Sequence, residues 1–295
     1  MTASSIEHFT PRERRLEARR RSVELVLDTV FRPGNWAAHV SELLGLQGRV
    51  ETNEITVDVG RTAAGRVPLR VGFASDFHAG ATTHHRLLVD ACAALTATTP
   101  DVVLLGGDFV SVRASYVHAL AELLSDVHAP LGKYAVLGNH DLRANWREVI
   151  SALERAGVQM ITNSFVRLSA PFDDVIVSGI DDPTRGLPRP DLAMGDARPG
   201  DTRIVLMHSP DGVEMIGDRA FDLALAGHTH GGQINLPTGH SLVVPGGPLN
   251  RAYCRGRFEL EGPGNRTLLV SRGIGTSGVP VRLFAAPEVH LCLIA

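Results

Sequence analysis

The pattern of hydrophobic and polar residues predicts strands that alternate with helices along most of the chain. Strand-length apolar runs occupy 70–74, 101–105, 133–137, 203–207 and 222–226. Helical periodicity occupies 84–98, 114–128, 143–156 and 211–218. Each apolar run ends in a polar cluster, and the alternation of the two patterns indicates an α/β fold. In folds of this class, ligands bind beyond the carboxyl ends of the strands.

The first 50 residues have a different pattern. Positions 12–21 are strongly basic and lead into an apolar stretch, which predicts an amphipathic helix over 11–31 and a second helix over 36–45. The side chains expected on the apolar side of the first helix are Leu16, Val23, Val26, Leu27, Val30 and Phe31. We expect that side to pack on the body of the protein and the arginines to face water. Attachment to an anionic membrane surface is the alternative.

This first helix does not have the pattern of a signal peptide. Glu24 and Asp28 interrupt its apolar stretch, whereas a signal peptide needs an uninterrupted apolar core. No run in the chain approaches the ~18–20 apolar residues of a membrane span. We therefore expect a cytoplasmic protein, with peripheral membrane contact through the basic helix as the alternative.

Composition narrows the class of protein further. Hydrophobic residues make up 44% of the 295 positions, which is enough for a sizeable core. The formal net charge is −3, so the charge balance does not indicate specific nucleic-acid binding, and we expect none. The cysteines, Cys92, Cys254 and Cys292, are odd in number and far apart. They indicate neither a disulfide framework nor a zinc knuckle.

Residues with metal-ligand chemistry gather where predicted strands end. They are Asp76, His78, Asp108, Asn139, His140, Asp141, His208, His228 and His230. Taken singly, the motifs at 76–78, 106–108 and 139–141 could cap helices or form turns, and His208 could be a hydrogen-bonded, half-buried histidine. Together, these residues follow five predicted strands. Oxygen and imidazole ligands without thiolate suit Mn²⁺, Fe or Zn²⁺. We expect extended backbone to aim Asp76 with His78, and His228 with His230, to one side of the chain.

The order of these motifs resembles the calcineurin-like metallophosphoesterase family. The motifs are Asp76-Phe77-His78, Gly106-Gly107-Asp108, Gly138-Asn139-His140-Asp141, His208 and Gly227-His228-Thr229-His230. The resemblance covers about 68–295. Shorter motifs at 179–183, 208–211, 227–233 and 271–278 are similar to the bacterial branch that contains phosphodiesterases of the YkuE and YaeI type.

This resemblance implies a fold and a metal centre. The fold is a four-layer αββα sandwich, in which two mixed β-sheets are flanked by helices. Positions 51–295 would form this metallophosphoesterase domain, and 1–50 an N-terminal helical extension. The centre would contain two divalent ions, with manganese expected and iron, zinc or cobalt as alternatives. One ion would be held by Asp76, His78, Asp108 and His230, and the other by Asp108, Asn139, His208 and His228.

The resemblance also implies a reaction. His140 would face the substrate as a catalytic residue, and Asp141 would orient its ring. We expect hydrolysis of a small-molecule phosphodiester by in-line attack of a metal-bridging hydroxide. Two ions bind the phosphoryl oxygens and lower the pKa of the water between them. The alternatives are a lipid-linked (UDP-sugar type) pyrophosphatase at a membrane surface and a nuclease. A non-enzymatic metal-binding scaffold ranks last, since no ligand is missing.

Three arginines are candidates for substrate binding. Arg185, Arg251 and Arg272 lie in glycine- and proline-containing loops at 181–191, 246–251 and 271–275. A guanidinium forms paired hydrogen bonds with phosphate, so each could contact the substrate. Ordinary surface loops are the alternative for each of them.

Overall fold

The structure is a computed structural model that describes residues 11–60, 67–195 and 197–295. The strands in these ranges are β1 (Glu51–Val57), β2 (Leu69–Ala74), β3 (Val102–Leu105), β4 (Lys133–Ala135), β5 (Val158–Met160), β6 (Ser164–Arg167), β7 (Val175–Gly179), β8 (Thr202–Leu206), β9 (Leu223–Ala226), β10 (Gly256–Glu259), β11 (Thr267–Val270) and β12 (Glu288–Ile294). The helices are α1 (Pro11–Phe31), α2 (Trp36–Leu43), α3 (His85–Ala97), α4 (Val117–Ser125), α5 (Asn139–Arg143), α6 (Trp146–Arg155), α7 (Pro190–Ala193), α8 (Gly212–Ile216) and α9 (Pro248–Ala252).

The strands form two mixed sheets, each with six strands. The first has the order β1-β12-β2-β3-β4-β5, and its strands β2 to β5 are parallel. The second has the order β10-β11-β9-β8-β7-β6, and its strands β11, β9, β8 and β7 are parallel. In the first sheet β12 is antiparallel to β2, and in the second β10 and β6 are antiparallel to their neighbours. The predicted pair of mixed sheets is confirmed.

Alternation of side chains within the strands divides the core into layers. In β3, Leu104 lies in the core between the sheets, whereas Leu105 packs with apolar residues of α3, α4 and α6. In β9, Leu225 lies between the sheets, whereas Ala226 packs on the outer side with Ile216 of α8. Successive side chains of a strand point to opposite faces, so both faces of each sheet are covered. The order of layers is helix, sheet, sheet, helix, as expected.

The carboxyl ends of the parallel strands of both sheets meet at one edge of the sandwich. The amide of Ile274, in the loop after β11, donates to the carbonyl of Ser75 after β2, at 3.1 Å. The amide of Gly275 donates to the carbonyl of Asp76 at 2.7 Å. These bonds join the loops of the two sheets, so side chains that follow β2, β3, β4, β8 and β9 approach one another.

Helix α1 contacts the rest of the protein through charged side chains. Asp28 is buried and accepts a hydrogen bond from Nε of Arg113 at 2.6 Å. The carboxylate of Glu24 lies 3.0 and 3.2 Å from Nη1 of Arg143, which is at the end of α5. Two ion pairs therefore determine which side of the helix faces the body.

The predicted packing of the valines of α1 is wrong. Val23, Val26 and Val30 are 57%, 61% and 51% exposed, because the ion pairs turn the charged side of the helix inward. Leu27 and Phe31 are half-buried. The side chain of Leu16 lies outside the described residues. The division of the chain at position 50 stays a prediction. In the described ranges no helix combines the length and hydropathy needed to cross a membrane.

Candidate metal centre

The backbone of the candidate ligands is not extended, contrary to the expectation from the strands. Strands β2, β3 and β9 end before the motifs begin, at Ala74, Leu105 and Ala226. Five ligand candidates have positive φ angles: Asp76 (56°), His78 (43°), Asp108 (53°), His228 (70°) and His230 (53°). Such angles are uncommon outside glycine, although Asp and His adopt them more often than most residues, and they cluster at functional sites.

Two glycines of the motifs leave room for the carboxylates. A Cβ at Gly138 would lie 2.2 Å from Oδ1 of Asp108, and a Cβ at Gly227 would lie 2.2 Å from Oδ2 of Asp76. No side chain fits at these distances, so both carboxylates lie directly against backbone. These two glycines therefore allow the carboxylates of Asp108 and Asp76 to lie in contact with the backbone.

The first locus of ligand atoms is formed by Asp76, His78 and His230, all of them buried. Nε2 of His78 lies 3.0 Å from Nε2 of His230, and Nε2 of His230 lies 3.6 Å from Oδ1 of Asp76. Both oxygens of Asp76 also accept from the amide of His228, at 3.1 and 3.0 Å. That amide fixes the carboxylate with Oδ1 turned toward the two rings.

The second locus is formed by Asp108, Asn139, His208 and His228. Nε2 of His208 lies 3.2 Å from Oδ1 of Asn139 and 3.2 Å from Nδ1 of His228. Nδ1 of His208 donates to the carbonyl of Gly106 at 2.8 Å, which directs Nε2 into the locus. A ligating histidine is commonly oriented by such a bond from its other nitrogen.

Asp108 belongs to both loci. Its Oδ2 lies 3.4 Å from Nε2 of His78 and 3.3 Å from Nε2 of His208, while its Oδ1 accepts from the amide of His140 at 2.7 Å. Burial acts to raise the pKa of this carboxyl, but the rings of His208, His140 and His78 outweigh burial and lower the pKa well below its usual value. One ionised oxygen is thus placed between two sets of donors.

The charges around His208 also fit a cation site. Burial acts to lower the pKa of His208, yet the carboxylates of Asp108, Asp76 and Asp182 raise it well above its ordinary value. Buried negative charge in this locus therefore favours a positive partner. Oxygen and imidazole donors converge here without thiolate, so the residues fit divalent ions such as Mn²⁺, Fe or Zn²⁺.

His140 is held by a backbone carbonyl and not by Asp141. Its Nδ1 donates to the carbonyl of Ser111 at 2.6 Å, which leaves Nε2 for the centre. Burial is the main reason that the pKa of His140 falls to about 3. A nitrogen of this ring also lies within ligand distance of His78 and Asp108, so the distances alone do not separate His140 from the ligands. Its role toward the substrate stays a prediction.

Asp141 closes the turn that carries Asn139 and His140. Its Oδ2 accepts from the amide of Gly138 at 3.0 Å, and its Oδ1 accepts from the amide of Val110 at 3.1 Å. Burial, with repulsion from Asp108, raises the pKa of Asp141 to about 7. The expected contact of Asp141 with the His140 ring is not made, since both carboxylate oxygens bind backbone amides.

The three candidate arginines differ in their surroundings. Arg272 donates from Nε to Oε2 of Glu288 at 2.7 Å and from Nη2 to Glu51 at 2.6 Å, so its charge is already paired. Arg251 is exposed on α9. Arg185 is half-buried, and its amide donates to Oδ1 of Asp182 at 2.7 Å. Their assignment to substrate binding stays a prediction.

Two other arginines were not singled out by the sequence. Arg143 contributes to the wall of the cleft, three positions after His140 on α5, and that helical spacing is the signal for it. Arg282 is buried and donates from Nη2 to the carbonyl of His230 at 3.3 Å. It also bonds the carbonyls of Gly275 and Arg272. No local pattern marks Arg282, because its partners are distant in sequence.

A cavity of about 370 Å³ opens beside both loci. Its polar lining includes Asp108, Asn139, His140, Arg143, His228 and His230. Apolar residues of the loops after β9 and β11 also line it. The volume is within the range of small-molecule sites, roughly 300–1,000 Å³, so a substrate can reach the ligand cluster.

Comparison with known proteins identifies the family. The model of the family described as calcineurin-like phosphoesterase matches residues 69–232. The chain is 29% identical over 244 residues to the uncharacterized metallophosphoesterase YkuE of Bacillus subtilis (strain 168), a match that covers 81% of this chain and 84% of YkuE. It is 31% identical over 229 residues to phosphodiesterase YaeI of Escherichia coli (strain K12), with 76% of this chain and 81% of YaeI covered. Among solved structures, TT1561 of Thermus thermophilus aligns with a TM-score of 0.45 and 14% identity over 71% of this chain and 91% of that chain. The family model spans more than half of the chain and includes all five motifs, so the chain belongs to the calcineurin-like phosphoesterase family.

Proposed function

We propose that the protein is a dinuclear-metal-dependent phosphodiesterase. The observation that carries the proposal is the position of Asp108, whose Oδ2 lies within 3.4 Å of ring nitrogens from both loci. A carboxylate shared in this way keeps two cations close together. Seven residues would hold the ions: Asp76, His78, Asp108, Asn139, His208, His228 and His230.

The ions would supply positive charge for the phosphoryl oxygens and a water acidic enough to ionise at neutral pH. Manganese is the proposed metal, with iron, zinc or cobalt as alternatives, because the donors are oxygen and imidazole. The chain itself orients the donors, since the carbonyl of Gly106 fixes the ring of His208 and the amide of His228 fixes Asp76.

His140 is the proposed catalytic residue of the chain. Because Nδ1 is committed to Ser111, Nε2 is the atom available to an oxygen of the substrate. With its pKa at about 3 the ring is neutral at pH 7, so Nε2 would donate to a phosphoryl oxygen or to the departing oxygen only after the bound anionic phosphate has raised that pKa. Asp141 acts as a positioning residue, since it holds the turn on which His140 lies.

The charges of the cleft support a diester over a monoester. A phosphodiester has one negative charge, whereas a monoester has up to two. Among the described residues that line the cavity, Arg143 is the one lysine or arginine, and Glu24 already pairs with it. Such a cleft has no row of cations for a nucleic-acid backbone either, which disfavours the nuclease alternative.

A lipid-linked pyrophosphatase is the second candidate. Exposed Val23, Val26 and Val30 lie on the same helix as exposed Arg15 and Arg19, a combination that suits an anionic membrane surface. Co-sedimentation with liposomes that contain phosphatidylglycerol tests this contact. If Val26→Asp does not reduce co-sedimentation of the full chain, the membrane-surface candidate is rejected.

The main proposal is tested with a substrate panel and metal analysis. Purified protein loaded with Mn²⁺ is expected to hydrolyse bis(p-nitrophenyl) phosphate with a higher kcat/KM than p-nitrophenyl phosphate, and to contain two ions per chain. Efficient monoester cleavage without diester cleavage would overturn the diesterase assignment. Full diester activity in Asp108→Asn would overturn the metal assignment.

A further inference from the structure

Part of the cavity lining is aliphatic. We define the apolar wall as Ile234, Leu242, Val243, Pro245 and Val279, which line the same cavity as the ligand cluster. Leu242 and Val243 are 56% and 69% exposed, and Val279 is also exposed. Aliphatic side chains exposed at the mouth of a cleft have an unfavourable free energy of hydration, which a ligand that covers them relieves. Such patches mark binding sites.

The loop that carries most of the apolar wall is held in place by hydrogen bonds. The amide of Leu242 donates to the carbonyl of Ile234 at 3.1 Å. Asn235 is buried and donates from Nδ2 to the carbonyls of Gly231 and Phe284, at 3.0 and 2.9 Å. Because the backbone of the loop is anchored in this way, its aliphatic side chains are held at the cleft.

The same loop approaches the metal centre directly. A Cβ at Gly246 would lie 3.3 Å from Nε2 of His228. Asn250, which is buried, secures the following turn by donating to Oδ2 of Asp211 at 3.0 Å. The loop that carries the apolar wall therefore reaches contact distance of the ligand cluster.

The chemistry of the wall selects the kind of substituent. All five of its residues are aliphatic, and within the described chain no Phe, Tyr or Trp lines the cavity. A nucleobase is usually bound by aromatic stacking, and the described lining of the cavity offers no aromatic side chain for it. Arg143, the one arginine or lysine among the described lining residues, belongs to α5 with His140 and not to the loops of the apolar wall. The wall thus suits an uncharged aliphatic chain.

We propose that the apolar wall binds a hydrocarbon chain of the substrate, so that the enzyme prefers phosphodiesters in which one substituent is an alkyl or acyl chain. This inference rests on the proposed function for its catalytic part. The binding part stands on the wall itself, and the two parts are tested separately.

The catalytic part is tested with p-nitrophenyl phosphodiesters whose second substituent is methyl, butyl, hexyl or octyl, used as monomers in solution with Mn²⁺-loaded full-length protein. Full burial of a methylene changes an equilibrium constant by about fourfold. The wall covers one side of a chain, so we expect kcat/KM to rise by about twofold per methylene. A kcat/KM independent of chain length overturns the preference.

The binding part is tested without turnover. Titration calorimetry with methyl-, butyl- and octylphosphonate monomethyl esters is expected to give a dissociation constant that falls with chain length. Tighter binding of the octyl ester by a protein that hydrolyses no diester would support the wall and refute the proposed function. Equal affinities for the three esters would refute the wall whether or not the protein is active.

Surface variants separate the wall from general hydrophobicity. Leu242→Ser and Val243→Ser remove exposed side chains of the wall, and we expect them to remove the dependence of kcat/KM on chain length. Leu192→Ser is the matched control, because Leu192 is 53% exposed on α7 and is not part of the cavity lining. An equal loss in Leu192→Ser, or no loss in Leu242→Ser and Val243→Ser, overturns the proposal.

Discussion

Nε2 of His78 and Nε2 of His230 lie 3.0 Å apart, although 152 positions separate the two residues in the chain. Each nitrogen has a lone pair when its ring is neutral, so this distance requires a shared proton or a cation toward which both lone pairs point. Asp76 lies 3.6 Å from the His230 nitrogen and provides the negative charge expected beside a cation. The same arrangement recurs at His208 and His228.

The two loci predict a stepwise loss of metal. His230→Ala removes a donor of the first locus and His208→Ala a donor of the second, so each variant is expected to retain one ion of two, measured by elemental analysis after gel filtration. His118→Ala is the control for the ion count, since His118 is exposed on α4. Two ions in both ligand variants would contradict the assignment.

Manganese should also stabilise the fold. At about 100 times its dissociation constant, it should raise the free energy of unfolding of the unmutated protein by about 2.7 kcal/mol.

Close approach at Gly138 predicts a strong effect of a single methyl group. In Gly138→Ala the added Cβ would lie 2.2 Å from Oδ1 of Asp108, which must then move. A displacement of about 1 Å at a catalytic group costs about 100-fold in rate, so we expect a loss of that size in kcat. Gly247→Ala is the control, because its Cβ would meet nothing closer than 3.4 Å. Equal kcat values for the two variants would argue against a role for this contact.

The ion pair between α1 and α5 predicts that the N-terminal helix affects the site. Glu24→Ala leaves the partly buried Arg143 without this carboxylate, and loss of a hydrogen bond to a charged group costs about 1.5–3 kcal/mol. We expect a lower free energy of unfolding by chemical denaturation and a higher KM for the diester. Glu122→Ala, at an exposed position of α4, should change neither quantity. A normal KM in Glu24→Ala would show that Arg143 does not depend on α1.

Glu288 predicts a dependence of stability on pH. Burial acts to raise its pKa, but His290 and Arg272 outweigh burial and lower the pKa from 4.5 to about 2. A depressed carboxyl pKa stabilises the folded state above the unfolded-state value, and this stability is lost as the pH falls from about 4.5 through about 2. Glu288→Gln should therefore lower the free energy of unfolding at pH 7 by roughly 2–3 kcal/mol.

Urea denaturation from pH 7 down to pH 3 measures the free energy of unfolding of Glu288→Gln and of the unmutated protein. The quantity compared is the difference between the two at each pH. That difference should shrink as the pH falls. Glu54→Gln, at an exposed position of β1, should show no such change. A difference that stays constant with pH would contradict the role assigned to the Glu288 charge.

The sequence by itself determined the order of the strands and the residues that follow them. Hydrophobic periodicity is a local property, and it placed β2, β3, β4, β8 and β9 close to their observed bounds. Parallel strands bring their carboxyl ends to one edge, so the approach of Asp76, Asp108 and His208 followed from topology once both sheets were expected.

Only the tertiary structure decided how these side chains are oriented. Extended backbone was the wrong expectation for Asp76 and His78, whose φ angles are positive because turns after β2 aim both residues inward. Ser111 took the place expected for Asp141 beside His140. In each case the deciding contact joins residues that are distant in the chain.

The valines of α1 and the pairing of Arg272 show the same limit. An apolar stripe predicts a buried side, but the ion pair of Glu24 with Arg143, 119 positions away, turned Val26 toward water. Glu288 and Glu51 pair with Arg272, a candidate for substrate binding on its loop motif alone, and that assignment stays a prediction. Local pattern determines which elements form. The long-range pairing of charges, which periodicity does not encode, accompanies the orientation of α1 and the pairing of Arg272.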